Sequence, residues 1–260
     1  MSNDLICATK YPILLVHGVG QRDQWGFKKW ANVPSRLRQN GALVYHGMQD
    51  GWGTYDSNAL QLKLRIQQIL DQCNIDKVNI IAHSKGGCDA RRLISITNGV
   101  NVASLTTLNT PHRGLHYVSR LRSIYPRWTI SIVGFFHNIW YRILGDRHPQ
   151  FGRVIAQFEP DYMLGFNEDN PDITGIYYAS YSSVLHKGSW IARMVQRYDG
   201  DNDGIVSVDS AKWGNYIGHI DNRHPKGMKH DVIIGRKRLK GFDPSVFVVD
   251  IVKSLKDRGL

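Results

Sequence analysis

Residues 77–97 constrain this chain more than any other stretch: Lys77-Val78-Asn79-Ile80-Ile81-Ala82-His83-Ser84-Lys85-Gly86-Gly87-Cys88-Asp89-Ala90-Arg91-Arg92-Leu93-Ile94-Ser95-Ile96-Thr97. An apolar, β-branched run stops at Ala82, turns sharply through residues 83–86, and continues into a segment with Leu93, Ile94 and Ile96 available for packing. That order reads as strand, tight turn and helix. A serine in such a turn takes a strained backbone that points its hydroxyl at a substrate, and the close strand-to-helix approach tolerates only small residues two before and two after it. Here those residues are Ala82 and Gly86. The helix that follows aims its first backbone N–H groups at the site, where they can hold an oxyanion. The stretch therefore predicts a nucleophile elbow with Ser84 as the nucleophile.

The remaining segments alternate as a parallel α/β sheet requires. Residues 11–16 read as a short buried strand that ends in His17-Gly18-Val19-Gly20, a turn able to lend one backbone N–H to an oxyanion. Val19 and Lys85 are then the two predicted donors. Glycines after a first strand also mark dinucleotide loops, but GxGxxG is absent and no acidic residue closes a suitable next strand. Strand character recurs at residues 42–45, a helix is expected over residues 56–71, and residues 102–108 make the strand after the elbow helix. Residues 27–39 have mixed helical character, broken by Pro34. The rhythm lapses from residue 115 to about 170, where Tyr117, Leu121, Trp128, Ile132, Phe135, Phe136, Trp140 and Ile143 supply more apolar surface than an edge segment needs. The expectation is one domain over residues 1–260, with residues 113–170 as an inserted helical lid. An ordinary pair of core helices is the alternative. Strand character returns over residues 175–181.

Downstream lie the candidate acid and base. Residues 198–206, Tyr-Asp-Gly-Asp-Asn-Asp-Gly-Ile-Val, match the first half of a calcium loop through Asp199, Asp201, Asp203 and Gly204, but the twelfth position is Ser210 where a bidentate Glu is needed. The other reading is a strand-end loop that offers a catalytic acid, with Asp203 just ahead of Gly204-Ile205-Val206. The last loop, residues 218–235, carries His219, His224 and His230, all of which qualify as a base by chain order. His230 is nearest the Val232-Ile233-Ile234 run and the closing helix expected over residues 244–256, so it is best anchored. His17 and His83 are expected to shape the oxyanion pocket.

Charge and composition limit the partners. The formal net charge of +11 raises a nucleic-acid reading, but its distribution is uneven: seven arginines, Arg113, Arg120, Arg122, Arg127, Arg142, Arg147 and Arg153, face one acid, Asp146, across residues 113–153. Mixed with aromatics, they could meet RNA phosphates, anionic lipid or only solvent. Cys7, Cys73 and Cys88 have neither CxxC nor zinc-finger spacing and are expected to be free thiols. No basic n-region and long apolar h-region open the chain, which predicts a cytoplasmic protein unless a leader was removed, and no stretch is apolar enough for a transmembrane anchor.

Six ordered segments resemble the bacterial lipases and esterases of the α/β-hydrolase superfamily, in particular the compact clostridial type: residues 11–20 (YPILLVHGVG), 49–58 (QDGWGTYDSN), 77–87 (KVNIIAHSKGG), 104–114 (SLTTLNTPHRG), 202–214 (NDGIVSVDSAKWG) and 228–231 (MKHD). The resemblance covers most of the chain outside the presumed lid. It implies an α/β-hydrolase fold, a mostly parallel central sheet with helices on both faces, and a triad of Ser84, Asp203 and His230 with oxyanion donors at Val19 and Lys85. It departs from the family at Ala82, where Gly is commoner, and at Lys85, where many relatives carry Gln or Met. Larger members bind zinc or calcium; the zinc insertion is missing and Asp231 alone defines no calcium site, so neither a metal nor another cofactor is expected. The implied activity is hydrolysis of acylglycerols or similar lipid esters, with a short-chain carboxylesterase as the alternative. Contact with an anionic lipid interface through the Arg-rich lid is also expected, and specific nucleic-acid binding is not. A basic membrane- or nucleic-acid-binding module on a hydrolase fold is the reading from a different class.

Overall fold

The computed structural model describes residues 5–23, 30–220, 225–235, 237 and 239–260. In chain order the elements are β1 (Ile13–Val16), α1 (Val33–Gln39), β2 (Val44–His46), α2 (Tyr55–Cys73), β3 (Val78–His83), α3 (Lys85–Ile96), β4 (Val102–Leu108), α4 (His116–Ile124), α5 (Arg127–Ile143), α6 (Phe151–Gln157), α7 (Pro160–Asp169), β5 (Tyr177–Ser183), α8 (Trp190–Asp199), α9 (Val208–Ala211), β6 (Asn215–Ile220) and α10 (Pro244–Asp257). The six strands form one sheet in the order β2-β1-β3-β4-β5-β6, every neighbouring pair parallel.

Strand β1 shows why the sheet needs cover on both sides. Alternate side chains of a strand point to opposite faces, and all four residues of β1 are buried. Ile13 and Leu15 join one apolar cluster with Val33 and Leu37 of α1 and Val248, Ile251 and Val252 of α10. Leu14 and Val16 join the other, with Leu62, Ile66 and Ile69 of α2 and Ala90, Leu93 and Ile94 of α3. This is the α/β-hydrolase architecture, with helices on both faces. It leaves the carboxyl ends of β1, β3, β4 and β5 for loops, where ligands bind in open parallel sheets.

The segment between β4 and β5 divides in two. Helices α6 and α7 pack inward: Val154 and Phe158 meet Leu115, Val118 and Val206, while Met163 and Phe166 meet Tyr55 and Cys88. They behave as core helices. Helix α5 does not, because Trp128, Ile132, Val133, Phe135, Phe136, Ile139, Trp140 and Ile143 are all exposed along it. No helix among the described residues is long and apolar enough to cross a membrane.

Two elements differ from the sequence expectation. Strand β6 takes in Gly218 and His219, which the sequence reading assigns to a loop; it is an edge strand whose residues alternate only between exposed and half-buried, so it carries no apolar signature. Helix α8 has no counterpart in the sequence reading; Ser189 caps it by accepting the Ala192 N–H, and Ala192 and Val195 turn inward.

Candidate active site

Ser84 ends β3 and caps α3 with φ 53° and ψ −131°, in the left-handed half of backbone space that a non-glycine residue rarely enters. Neighbours impose this conformation. The Ser84 N–H donates to the Leu108 carbonyl at 2.9 Å, and the Thr110 hydroxyl donates to the Ser84 carbonyl at 2.8 Å. The small residues follow from contact: a Cβ on Gly86 would lie 2.4 Å from the His17 carbonyl oxygen, and one on Gly18 would lie 2.9 Å from the Ser84 Cβ. Strand, turn and helix are thus pressed together as the elbow reading requires.

His230 and Asp203 meet at the same end of the sheet. His230 Nδ1 donates to Asp203 Oδ2 at 2.7 Å, and both side chains are buried. The other carboxylate oxygen, Oδ1, accepts the N–H groups of Ile205 at 2.9 Å and Val206 at 2.8 Å, which fixes the carboxylate plane. The His230 backbone is held as well: its N–H donates to the Asp203 carbonyl at 2.9 Å, while its own carbonyl accepts from His83 Nε2 at 3.1 Å and Asn109 Nδ2 at 3.2 Å. An imidazole oriented this way through Nδ1 presents Nε2 for proton transfer.

The three acids of the calcium-loop reading do not converge. Asp199 pairs with His116, Asp201 lends its carbonyl to the Val208 N–H at 2.7 Å, and Asp203 is committed to His230. Among the described residues no group of three or more His, Cys, Asp or Glu side chains could hold a metal ion. His219 lies on β6 beside a different cavity, and His224 lies outside the described residues. His83 braces the His230 carbonyl rather than shaping the oxyanion pocket alone. His17 does serve the turn, with its ring nitrogens 2.9 Å from the Gly18 carbonyl oxygen and 3.0 Å from that of Gln49.

Ser84 and His230 line one cavity of about 340 Å³ together with Val19. Its walls are mainly apolar, with Leu115, Val118, Leu121, Ile155, Phe158 and Val206 among them, and Trp52 and Arg122 line it as well. Among the described residues neither the Val19 N–H nor the Lys85 N–H donates to a protein acceptor. Tyr117 also lines the cavity; burial pushes its hydroxyl well above the ordinary tyrosine range, and the Asp203 and Asp199 carboxylates add to that. The sequence marks Tyr117 and Leu121 only as part of an apolar surplus and gives no sign of Leu115, Val118, Ile155 or Phe158 as a wall, because only the fold of α4 and α6 brings them together beside the serine.

The Lys85 side chain turns away from the cavity into the protein. Its Nζ lies 2.6 Å from Asp89 Oδ1, one helical turn on, and both groups are buried. Asn58 Nδ2 donates to the other Asp89 oxygen at 2.9 Å. Burial drives the Asp89 carboxyl above its ordinary pKa, against the pull of Lys85 and Asn58.

Residues 12–158 match the sequence model of palmitoyl protein thioesterases, more than half of the 260 residues. The chain belongs to that family. The matched span contains Val19, Ser84 and Lys85 and ends before Asp203 and His230, whose pairing rests on the geometry above. The chain is 29% identical to a triacylglycerol lipase of Pseudarthrobacter phenanthrenivorans over 154 residues, 56% of this chain and 48% of that one, so it spans about half the length of that relative. It is 26% identical to a triacylglycerol lipase of Vibrio cholerae over 285 residues, 97% of this chain and 89% of that one. The lipase of Staphylococcus hyicus superposes with a TM-score of 0.73 at 16% identity, covering 96% of this chain and 98% of that one. The resemblance to bacterial lipases and esterases, and the α/β-hydrolase fold it implied, are both borne out.

Proposed function

We propose that this chain is a serine hydrolase that cleaves carboxylic esters of lipid-like acyl chains, acylglycerols among them. The observation that carries the reading is Ser84, held at positive φ on the wall of an apolar cavity that it shares with His230, itself oriented by the buried carboxylate of Asp203. In the first half-reaction Ser84 Oγ bonds to the ester carbonyl carbon as His230 Nε2 takes its proton. The carbonyl oxygen becomes an oxyanion, held by the Val19 and Lys85 N–H groups. The bond to the alcohol then breaks, and His230 returns the proton to the departing alcohol. In the second half-reaction water attacks the acyl carbon and gives its proton to His230, which passes it to Ser84 as the acid leaves. Asp203 orients His230 and stabilises the imidazolium in both halves.

Leu115, Val118, Leu121, Ile155 and Phe158 are the natural wall for an acyl chain. At about 340 Å³ the cavity sits at the small end of ligand sites, so longer chains extend past it. The family match favours palmitoyl thioesters as a second substrate class, cleaved by the same steps with a thiol as leaving group. Within residues 113–170 the lid role falls to α5, which rests on the lipid surface. Its exposed Trp128, Phe135, Phe136 and Trp140 enter the headgroup region, and exposed Arg120, Arg142, Arg147 and Arg153 meet anionic lipid.

Ser84→Ala should abolish hydrolysis of p-nitrophenyl esters with the fold intact by circular dichroism; undiminished turnover would sink the assignment. A series from butyrate to palmitate esters, with palmitoyl thioester beside it, fixes the acyl preference. For the interface, Trp128→Ala/Trp140→Ala should weaken sedimentation with phosphatidylglycerol vesicles, and added salt should weaken it further. Vesicle binding that ignores both would remove that part of the proposal.

A further inference from the structure

Between the oxyanion turn and the helical segment lies a set of buried polar contacts that the triad does not use. Two carboxylates are exchanged between neighbouring loops. Asp146, in the loop after α5, accepts the N–H groups of Gly51 at 3.2 Å and Trp52 at 2.9 Å. Asp50 reciprocates by accepting those of Arg147 at 2.9 Å and His148 at 2.7 Å. Asp146 Oδ1 also takes Arg22 Nη2 at 2.6 Å, and the same Arg22 nitrogen donates to the Tyr141 carbonyl at 2.9 Å. Asp50 and Asp146 are both buried, so breaking either set of bonds leaves charge or N–H groups unpaired away from water.

The segment so held, residues 50–52, touches both halves of the oxyanion site. On one side the Gly51 carbonyl accepts the Gly20 N–H at 2.9 Å, next to Val19. On the other, the Asp50 carbonyl accepts Asn58 Nδ2 at 2.9 Å, and that amide also reaches Asp89, the partner of Lys85. A set of hydrogen bonds therefore links the loop after α5 to Gly20, the neighbour of Val19, on one side and to the Lys85 side chain on the other.

We infer that Asp146 is a positioning residue: through Arg22 and residues 50–52 it sets the oxyanion turn against the nucleophile elbow, and so makes oxyanion stabilisation depend on the seating of the helical segment. The inference rests on the proposed serine-hydrolase reading. A misplacement of about 1 Å in a reacting geometry can cost on the order of a hundredfold in rate, so a partial loosening of Val19 should cost tenfold or more.

The test compares a ligand that forms an oxyanion-like adduct with one that does not. In Asp146→Asn, kcat/KM for p-nitrophenyl butyrate should fall at least tenfold, mostly in kcat, and the affinity of an alkyl boronic acid, which bonds to the serine, should fall by the same factor. Affinity for decanoate, which only fills the acyl wall, should stay within twofold. Arg22→Gln, which spares the backbone contacts of Asp146, should repeat the pattern at smaller size, and it serves if Asp146→Asn does not fold. Boronate affinity unchanged within twofold in both variants, or boronate and decanoate weakened alike, would overturn the inference. Failure of the unaltered protein to bind boronate or to be labelled by a fluorophosphonate would instead refute the hydrolase reading itself.

Discussion

Lys85→Met leaves Asp89 as a carboxylate with one amide partner in a site where it is 1% exposed. The Lys85 ammonium now sits 2.6 Å from it, and removing one member of a buried ion pair typically costs about 3–5 kcal/mol because the survivor is uncompensated. With a urea m value of about 3 kcal/mol/M for a chain of this size, the unfolding midpoint should drop by about 1–1.7 M at pH 7. The sign of the pH dependence follows from burial, which already raises the Asp89 pKa and raises it further once Lys85 is gone. The penalty is therefore full above that raised pKa and shrinks as the pH falls and Asp89 takes up a proton. Lys85→Met/Asp89→Leu removes both charges and should recover to within about 2 kcal/mol of the parent, giving a coupling energy of at least about 2 kcal/mol in the double-mutant cycle. Equilibrium urea unfolding of the four proteins at pH 7 and pH 5 reads all of this. A Lys85→Met cost below about 1 kcal/mol, independent of pH, would refute the reasoning.

Other predictions follow from the same structure. Asp203→Asn should lower kcat by at least about a hundredfold through loss of the imidazole's orientation, whereas Asp199→Asn, which removes only the partner of His116, should stay within a few-fold; comparable losses in p-nitrophenyl butyrate assays would contradict the choice of acid. His112 is buried, and burial, with Arg91 and Arg113 nearby, holds its pKa well below the ordinary histidine value of 6.5. Only the unfolded chain then protonates it, so stability should fall as the pH drops through 6.5, by up to about 1 kcal/mol between pH 6.5 and pH 5.5, and His112→Gln should remove that component from urea titrations. A slope unchanged in the variant would show that His112 is not its source.

What the sequence made legible is what local chemistry dictates. The elbow needed a small residue on each side of Ser84, and Gly86 is where a side chain would strike the His17 carbonyl. Strand β4 matches its expected bounds because residues 102–108 end at a turn and bury every side chain. The acid was harder: Asp199, Asp201 and Asp203 are alike in sequence, and only the return of the chain at His230 separates them. The Lys85 side chain could not be read at all. Its i,i+4 spacing to Asp89 occurs on many solvated helices, and it is the packing of α2 beside α3 that buries the pair. The same limit hid β6, an edge strand without an apolar face, and the exchange of Asp50 and Asp146 between loops that lie far apart in the chain.

The most direct test of the account is to trap the acyl-enzyme. After rapid mixing with p-nitrophenyl butyrate and acid quenching, peptide mass spectrometry should find one butyryl group on the peptide containing Ser84, formed with a burst of p-nitrophenol and absent from Ser84→Ala. A butyryl group on another residue, or full turnover in Ser84→Ala, would contradict it.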